Sequence, residues 1–180
     1  MRSFILLLIA LLITSCGAES SSDSMYGVET VAGKVPVSCE ISGVISEFST
    51  KAPGSKFIHT DWNPSPNSDL DAALKNDGIA CTYGIQTAEV GGTILWASNS
   101  KNIWNERKQL WIDAGETPID IPGVDESAAY ILQEGTSADG MHVWRINLLI
   151  QGVWIQIGSS FLQNLDEGFP IIIAAIAATH

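Results

Sequence analysis

Met141-His142-Val143-Trp144-Arg145-Ile146-Asn147-Leu148-Leu149-Ile150-Gln151-Gly152-Val153-Trp154-Ile155-Gln156-Ile157-Gly158-Ser159 is the stretch that decides the fold. It reads as two strands, Met141 to Ile150 and Val153 to Ser159, joined by the two-residue link Gln151-Gly152, where a glycine is available for positive φ. In the first strand Trp144, Ile146, Leu148 and Ile150 alternate onto one face, and Arg145 and Asn147 fall on the other. One face of the sheet is therefore wet or covered by something polar. In the second strand Trp154 shares its face with Gln156, opposite Val153, Ile155 and Ile157. Trp154 either packs under a loop or is exposed for a partner.

Working outward, Ala128 to Gln133 supplies a third strand, and Ile79 to Gln86 and Thr93 to Ala97 supply two more. Ser38 to Phe48 has helical spacing through Cys39, Val44 and Phe48, although Gly43 weakens it. Ser68 with Asp71 three residues on has the form of a capping box opening a helix from Asp69 to Asn76. Ser100 to Asp113 places Ile103, Trp104, Leu110 and Trp111 on a stripe, and Gly115 can end that helix. Pro170 to Ala178 is a last apolar helix, too short for the ~20 residues of a bilayer span. Lys56 to His59 is a short strand candidate, and Thr117 to Glu126 reads as an acidic turn. The order predicts an α+β domain: a five-stranded antiparallel sheet with helices packed mainly on one face. No repeat is visible, and one domain, 35–180, accounts for the folded part.

At the other end of the chain, Arg2 precedes the apolar run Phe4 to Ile13, and Ile13-Thr14-Ser15-Cys16 leads into the polar stretch Gly17 to Ser24. This resembles the lipobox of bacterial lipoproteins. The resemblance implies that residues 1–15 are a signal peptide removed on export and that the Cys16 thiol carries a diacylglyceryl group. Residues 16–34 are then a lipidated cysteine and a flexible spacer. A spacer of that length spans roughly 20 to 25 Å. The protein is expected at the bacterial cell membrane, lipid-anchored on its outer, extracytoplasmic face. An exported chain in an oxidising compartment pairs its remaining cysteines, so Cys39 and Cys81 are read as a disulfide contributing on the order of 4 kcal/mol.

The formal net charge of −11 disfavours nucleic acid, whose phosphates need a basic patch, and it disfavours electrostatic adhesion to anionic lipid. Attachment to the membrane should come from the acyl chains.

Catalytic constellations are hard to assemble. No serine sits in a Gly-x-Ser-x-Gly elbow, His59, His142 and His180 are scattered, and Gly91-Gly92 lacks the lysine of a phosphate loop. Carboxylate pairs such as Asp120 with Asp125 or Glu134 with Asp139 lie in turns where solvated acids are ordinary. Asp61, Asn63, Ser65, Asn67 and Asp69 alternate oxygens like a calcium loop, but Pro66 stands where that loop needs glycine and Ala72 where it needs a bidentate acid. No metal, no cofactor and no enzymatic activity are expected. Six tryptophans are many for 180 residues. Trp96, Trp104, Trp111 and Trp144 fall on apolar faces, which leaves Trp62 and Trp154 as candidates for recognition of a ligand or partner.

Cys16, Cys39, the stretch Asp77-Gly78-Ile79-Ala80-Cys81-Thr82-Tyr83-Gly84 and the stretch Ile121-Pro122-Gly123-Val124-Asp125-Glu126-Ser127-Ala128-Ala129-Tyr130, taken in order, resemble the small actinobacterial lipoproteins of the domain-of-unknown-function family 3558. The likeness covers about Ser38 to Ala178. It departs in carrying Tyr83 where tryptophan is common, and in a short spacer. That group is similar in fold to extracytoplasmic sensor and ligand-binding lipoproteins with an antiparallel sheet and a concave face. The resemblance implies a binding or accessory module whose partner is an envelope protein or a small ligand; the competing expectation is a hydrolase or transferase of the envelope whose site assembles only in three dimensions.

Overall fold

The computed structural model describes residues 32–125, 127–136 and 141–180. The segment read as a signal peptide, 1–15, Cys16 and most of the expected spacer lie outside the described residues. The β-hairpin that opens the sequence reading is present as β6 (Met141–Ile150) and β7 (Val153–Ser159), paired antiparallel with Ile150 opposite Val153. Gln151 and Gly152 both have positive φ, 49° and 78°, as the I′ turn between twisted strands requires.

Around this hairpin the sheet is wider than its sequence suggests. Besides β2 (Ile79–Ile85), β3 (Val90–Ser98) and β5 (Ala128–Thr136), two three-residue strands close its edges: β1 (Lys56–Ile58) and β4 (Thr117–Ile119). The sheet is thus seven-stranded and antiparallel throughout, in the order β1-β2-β3-β7-β6-β5-β4, rather than five-stranded. β4 escapes the pattern because it is short and contains Pro118, which lacks the ladder N–H and is tolerated at an edge.

The helices also divide differently. α1 (Ser42–Lys51) and α4 (Leu165–Ala177) cover one face, whereas α2 (Asp69–Leu74) and α3 (Ile103–Asp113) cover part of the other. The expectation of helices mainly on one face fails because the second face carries its own apolar patch. Ala80, Leu95, Ala97 and Trp154 form that patch, and Ala73, Ile103, Trp104 and Trp111 bury it.

The first core is the larger. Val44 and Phe48 of α1 and Ile171, Ile172 and Ala175 of α4 pack on Cys81, Tyr83, Ile94, Trp96, Ile146, Leu148, Ile155 and Ile157. Trp144 lies fully buried beneath α4, whose Gly168 lets the helix settle: a Cβ there would stand 2.6 Å from Trp144 Cη2. Trp96 Nε1 donates to the Ala175 carbonyl at 3.0 Å, satisfying one of the acceptors left open at the end of α4. Cys39 and Cys81 form the expected disulfide, with Cα atoms 5.4 Å apart, tying the lead-in to α1 onto β2. Tyr83 donates its hydroxyl to the Cys39 carbonyl at 2.9 Å, and burial pushes its phenol well above the usual range.

α4 begins five residues before the predicted start. Asn164 accepts from Glu167 N at 3.0 Å, and Glu167 in turn accepts from Gln163 N at 2.9 Å. Pro170 then falls inside the helix. At the other end of β7, Gly33 N donates to Gln151 O and Lys34 N to Thr179 O. Among the described residues no helix is long and apolar enough to cross a membrane.

Candidate functional site

The second face of the sheet is best read as rows of residues running across the strands. One row is Ala80, Leu95, Gln156, Asn147 and Tyr130, and the next is Ile58, Thr82, Thr93, Gly158, Arg145 and Leu132. α2 and α3 roof the first. The second borders open space.

Under the roof runs a continuous polar seam. Arg145 Nε donates to Glu116 Oε1 at 2.8 Å, with Nη2 at 2.7 Å from the same oxygen, and Asn147 Nδ2 donates to Glu116 Oε2 at 2.9 Å. Asn147 Oδ1 accepts from Trp154 Nε1 and from Gln156 Nε2, each at 2.9 Å. The other proton of Gln156 Nε2 goes to Asp69 Oδ2 at 2.6 Å. Asp69 completes the chain by accepting from Trp111 Nε1 at 3.0 Å and from Arg107, whose Nε and Nη2 lie 2.7 and 2.6 Å from Oδ1. Two arginine–carboxylate pairs are therefore linked by two amides and two indoles. Such a network rigidifies when its members are satisfied and is costly when one is removed.

Two local devices deliver the acids. Asp69 is the first residue of α2, placed by the Ser68 cap, which accepts from Asp71 N at 3.1 Å. The reciprocal half of the expected capping box does not reach Ser68; Asp71 accepts instead from Asn67 N and from Lys75 Nζ, each at 2.8 Å. Those two hydrogen bonds, Lys75 first, hold its carboxyl below the usual range. Glu116 follows the Schellman turn that ends α3: Gly115 has φ +92°, Gly115 N bonds Ile112 O, and Glu116 N bonds Trp111 O. The glycine turns the chain inward so that Glu116 is 3 % exposed. Burial pushes its carboxyl above the usual range, against the opposing pull of Asn147 and Arg145.

Beside the seam lies a groove of about 600 Å³. Thr82, Thr93, Gly158 and Arg145 form its floor, and its walls are mostly apolar, among them Ile58 and the 46 % exposed Val143. The hydroxyls of Thr82 and Thr60 lie 3.0 Å apart at one end. Pockets of this size with an apolar lining and a few placed polar groups have the character of small-molecule sites.

The residues singled out from sequence fare unequally. Trp154 is fully buried, its indole held by Asn147 and its ring 5.3 Å from that of Trp111; it packs under α2 and α3 and presents no recognition surface. Trp62 is half-buried against the second core and donates Nε1 to Ala80 O at 2.8 Å, outside the groove lining. Leu110, placed on the buried stripe of α3, is 50 % exposed. Cys16 lies outside the described residues. The residues that sequence missed are Glu116, Asp69, Thr82, Thr93 and Gly158. The polar face of β6, Arg145 with Asn147, is the sequence signal that something polar lies opposite; the structure identifies it as Glu116.

No protein-family model, curated protein or solved structure matches this chain.

Proposed function

We propose that the protein is a lipoprotein of the bacterial cell envelope, anchored to the extracytoplasmic face of the membrane through Cys16, and that it acts as a binding or accessory module whose site is the groove over Thr82, Thr93, Gly158 and Arg145. The groove carries the reading: it is a concave surface next to an arginine fixed in position by a buried acid. The Cys39–Cys81 disulfide supports export, since such bonds persist in oxidising compartments. The lipobox, and the resemblance to the small lipoproteins of family 3558, supply the anchor. Glu116 and Asp69 favour binding over acid–base chemistry, because both oxygens of each carboxylate already accept from arginine, amide or indole donors.

Two measurements test this. Metabolic labelling with an alkyne fatty acid should mark the native protein and leave Cys16→Ala unlabelled; label on the variant would overturn the anchor. Native mass spectrometry of protein purified from its own envelope should show a small-molecule adduct that Gly158→Leu lacks. An adduct that survives in the variant would place binding elsewhere.

A further inference from the structure

Building on the groove as the binding site, we infer that its ligand is an uncharged amphiphile bearing a carbonyl, an amide or ester on an apolar body, with the carbonyl oxygen accepting from Arg145 and the apolar body lying across Gly158 toward Thr93 and Thr82. Three observations carry this. Arg145 lines the groove and its side chain is 28 % exposed; Nε and Nη2 are taken by Glu116, and Nη1 is the guanidinium nitrogen with no partner among the described residues. A donor is therefore on offer. Its charge is not, because Glu116 neutralises it from 2.7 Å and the other ionisable group lining the groove, Glu89, is an acid. A carboxylate or phosphate would meet a site that is neutral or negative within a chain of net charge −11, whereas a neutral carbonyl gains the hydrogen bond without that repulsion. The third observation is room: no atom of the described residues lies within 4 Å of where a Cβ on Gly158 would stand, although Thr93 and Arg145 flank it directly in the sheet.

Octanamide and octanoate form a matched pair of probes, alike in length and differing in charge. Titrated into the mature lipidated protein in phospholipid nanodiscs and followed by ¹H–¹⁵N spectra, octanamide should shift the Thr93 and Gly158 amides and bind about tenfold more tightly than octanoate. Gly158→Leu, which fills the groove from a strand position free of left-handed φ, should abolish the shifts while keeping the melting temperature. The paired variant Glu116→Gln with Arg145→Met, which removes the donor and leaves the net charge unchanged, should weaken octanamide binding about tenfold or more; octanamide binding unchanged in it overturns the role of Arg145. Octanoate binding as tightly as octanamide overturns the ligand class and leaves the groove as a binding site. If neither probe shifts these residues, the inference falls; the binding reading falls with it only if the native adduct also survives Gly158→Leu.

Discussion

Glu116 is ionised at a cost. Because its folded-state pKa is raised by burial, the folded protein holds a proton that the unfolded chain has already released over the window starting near the ordinary value of 4.5 and extending above it. Stability contributed by this group is present below that window and declines as pH rises through it. Thermal melts of the native protein and Glu116→Gln between pH 4.5 and 7 should show the native protein losing ground to the variant as pH rises; parallel curves would remove the buried acid from the account. Asp71, with its lowered pKa, works in the opposite sense and in a separate window below 3.8, so it does not mask the effect. Trp154 gives a second test at this scale. Its replacement by alanine removes a fully buried ring and leaves Asn147 short of a donor, so the loss should be about 3–5 kcal/mol. Trp62→Ala, at a half-buried site, should cost clearly less by chemical denaturation. Equal losses would mean that Trp62 is more deeply embedded than its exposure implies. The alternation of β6 exposed the polar face in sequence, but the partners of that face did not follow from it. Gln156 meets Asp69 across 87 residues, and Asn147 meets Glu116 across 31, separations that no local pattern reports.

Helices and strands were legible wherever their own side chains decide them. The hairpin β6–β7 and the buried stripe Ile103, Trp104 and Trp111 followed from periodicity, and the C-terminal part of α4 from its apolar run. The edges were legible only in part: Lys56 to His59 was read as a strand and is β1, whereas β4, read as an acidic turn, contains a proline and is made a strand by pairing with its neighbour. The two helical glycines separate these influences. Gly43 in α1 has nothing within 4 Å of a Cβ among the described residues, so Gly43→Ala should stabilise by about 0.5–1 kcal/mol through helix propensity alone. Gly168 in α4 rests on Trp144, and Gly168→Ala should destabilise by about 1–3 kcal/mol as an overpacked contact. Denaturant midpoints of the two variants moving in the same direction would show that packing of α4 on the sheet is looser than these distances state.

Across the whole molecule, one sheet serves two different cores. The face under α1 and α4 is continuous apolar packing, locked to the lead-in of α1 by the disulfide, and reduction should lower stability by roughly 2–4 kcal/mol without redistributing the seam on the other side. Cys39→Ala with Cys81→Ala, measured by urea unfolding, tests the magnitude. The other face is half roofed and half open, and its open half borders the polar seam.

The backbone bonds from Gly33 to Gln151 and from Lys34 to Thr179 set the first described residues and the C-terminal segment beside the β6–β7 turn, while the groove lies toward Ser159, at the far end of β7. Seven strand residues at ~3.3 Å each put roughly 20 Å between the β6–β7 turn and the mouth. Under the proposed attachment through Cys16, the groove would open at the end of the sheet remote from where Gly33 joins it, and a dye or fusion on His180 would leave that mouth unobstructed.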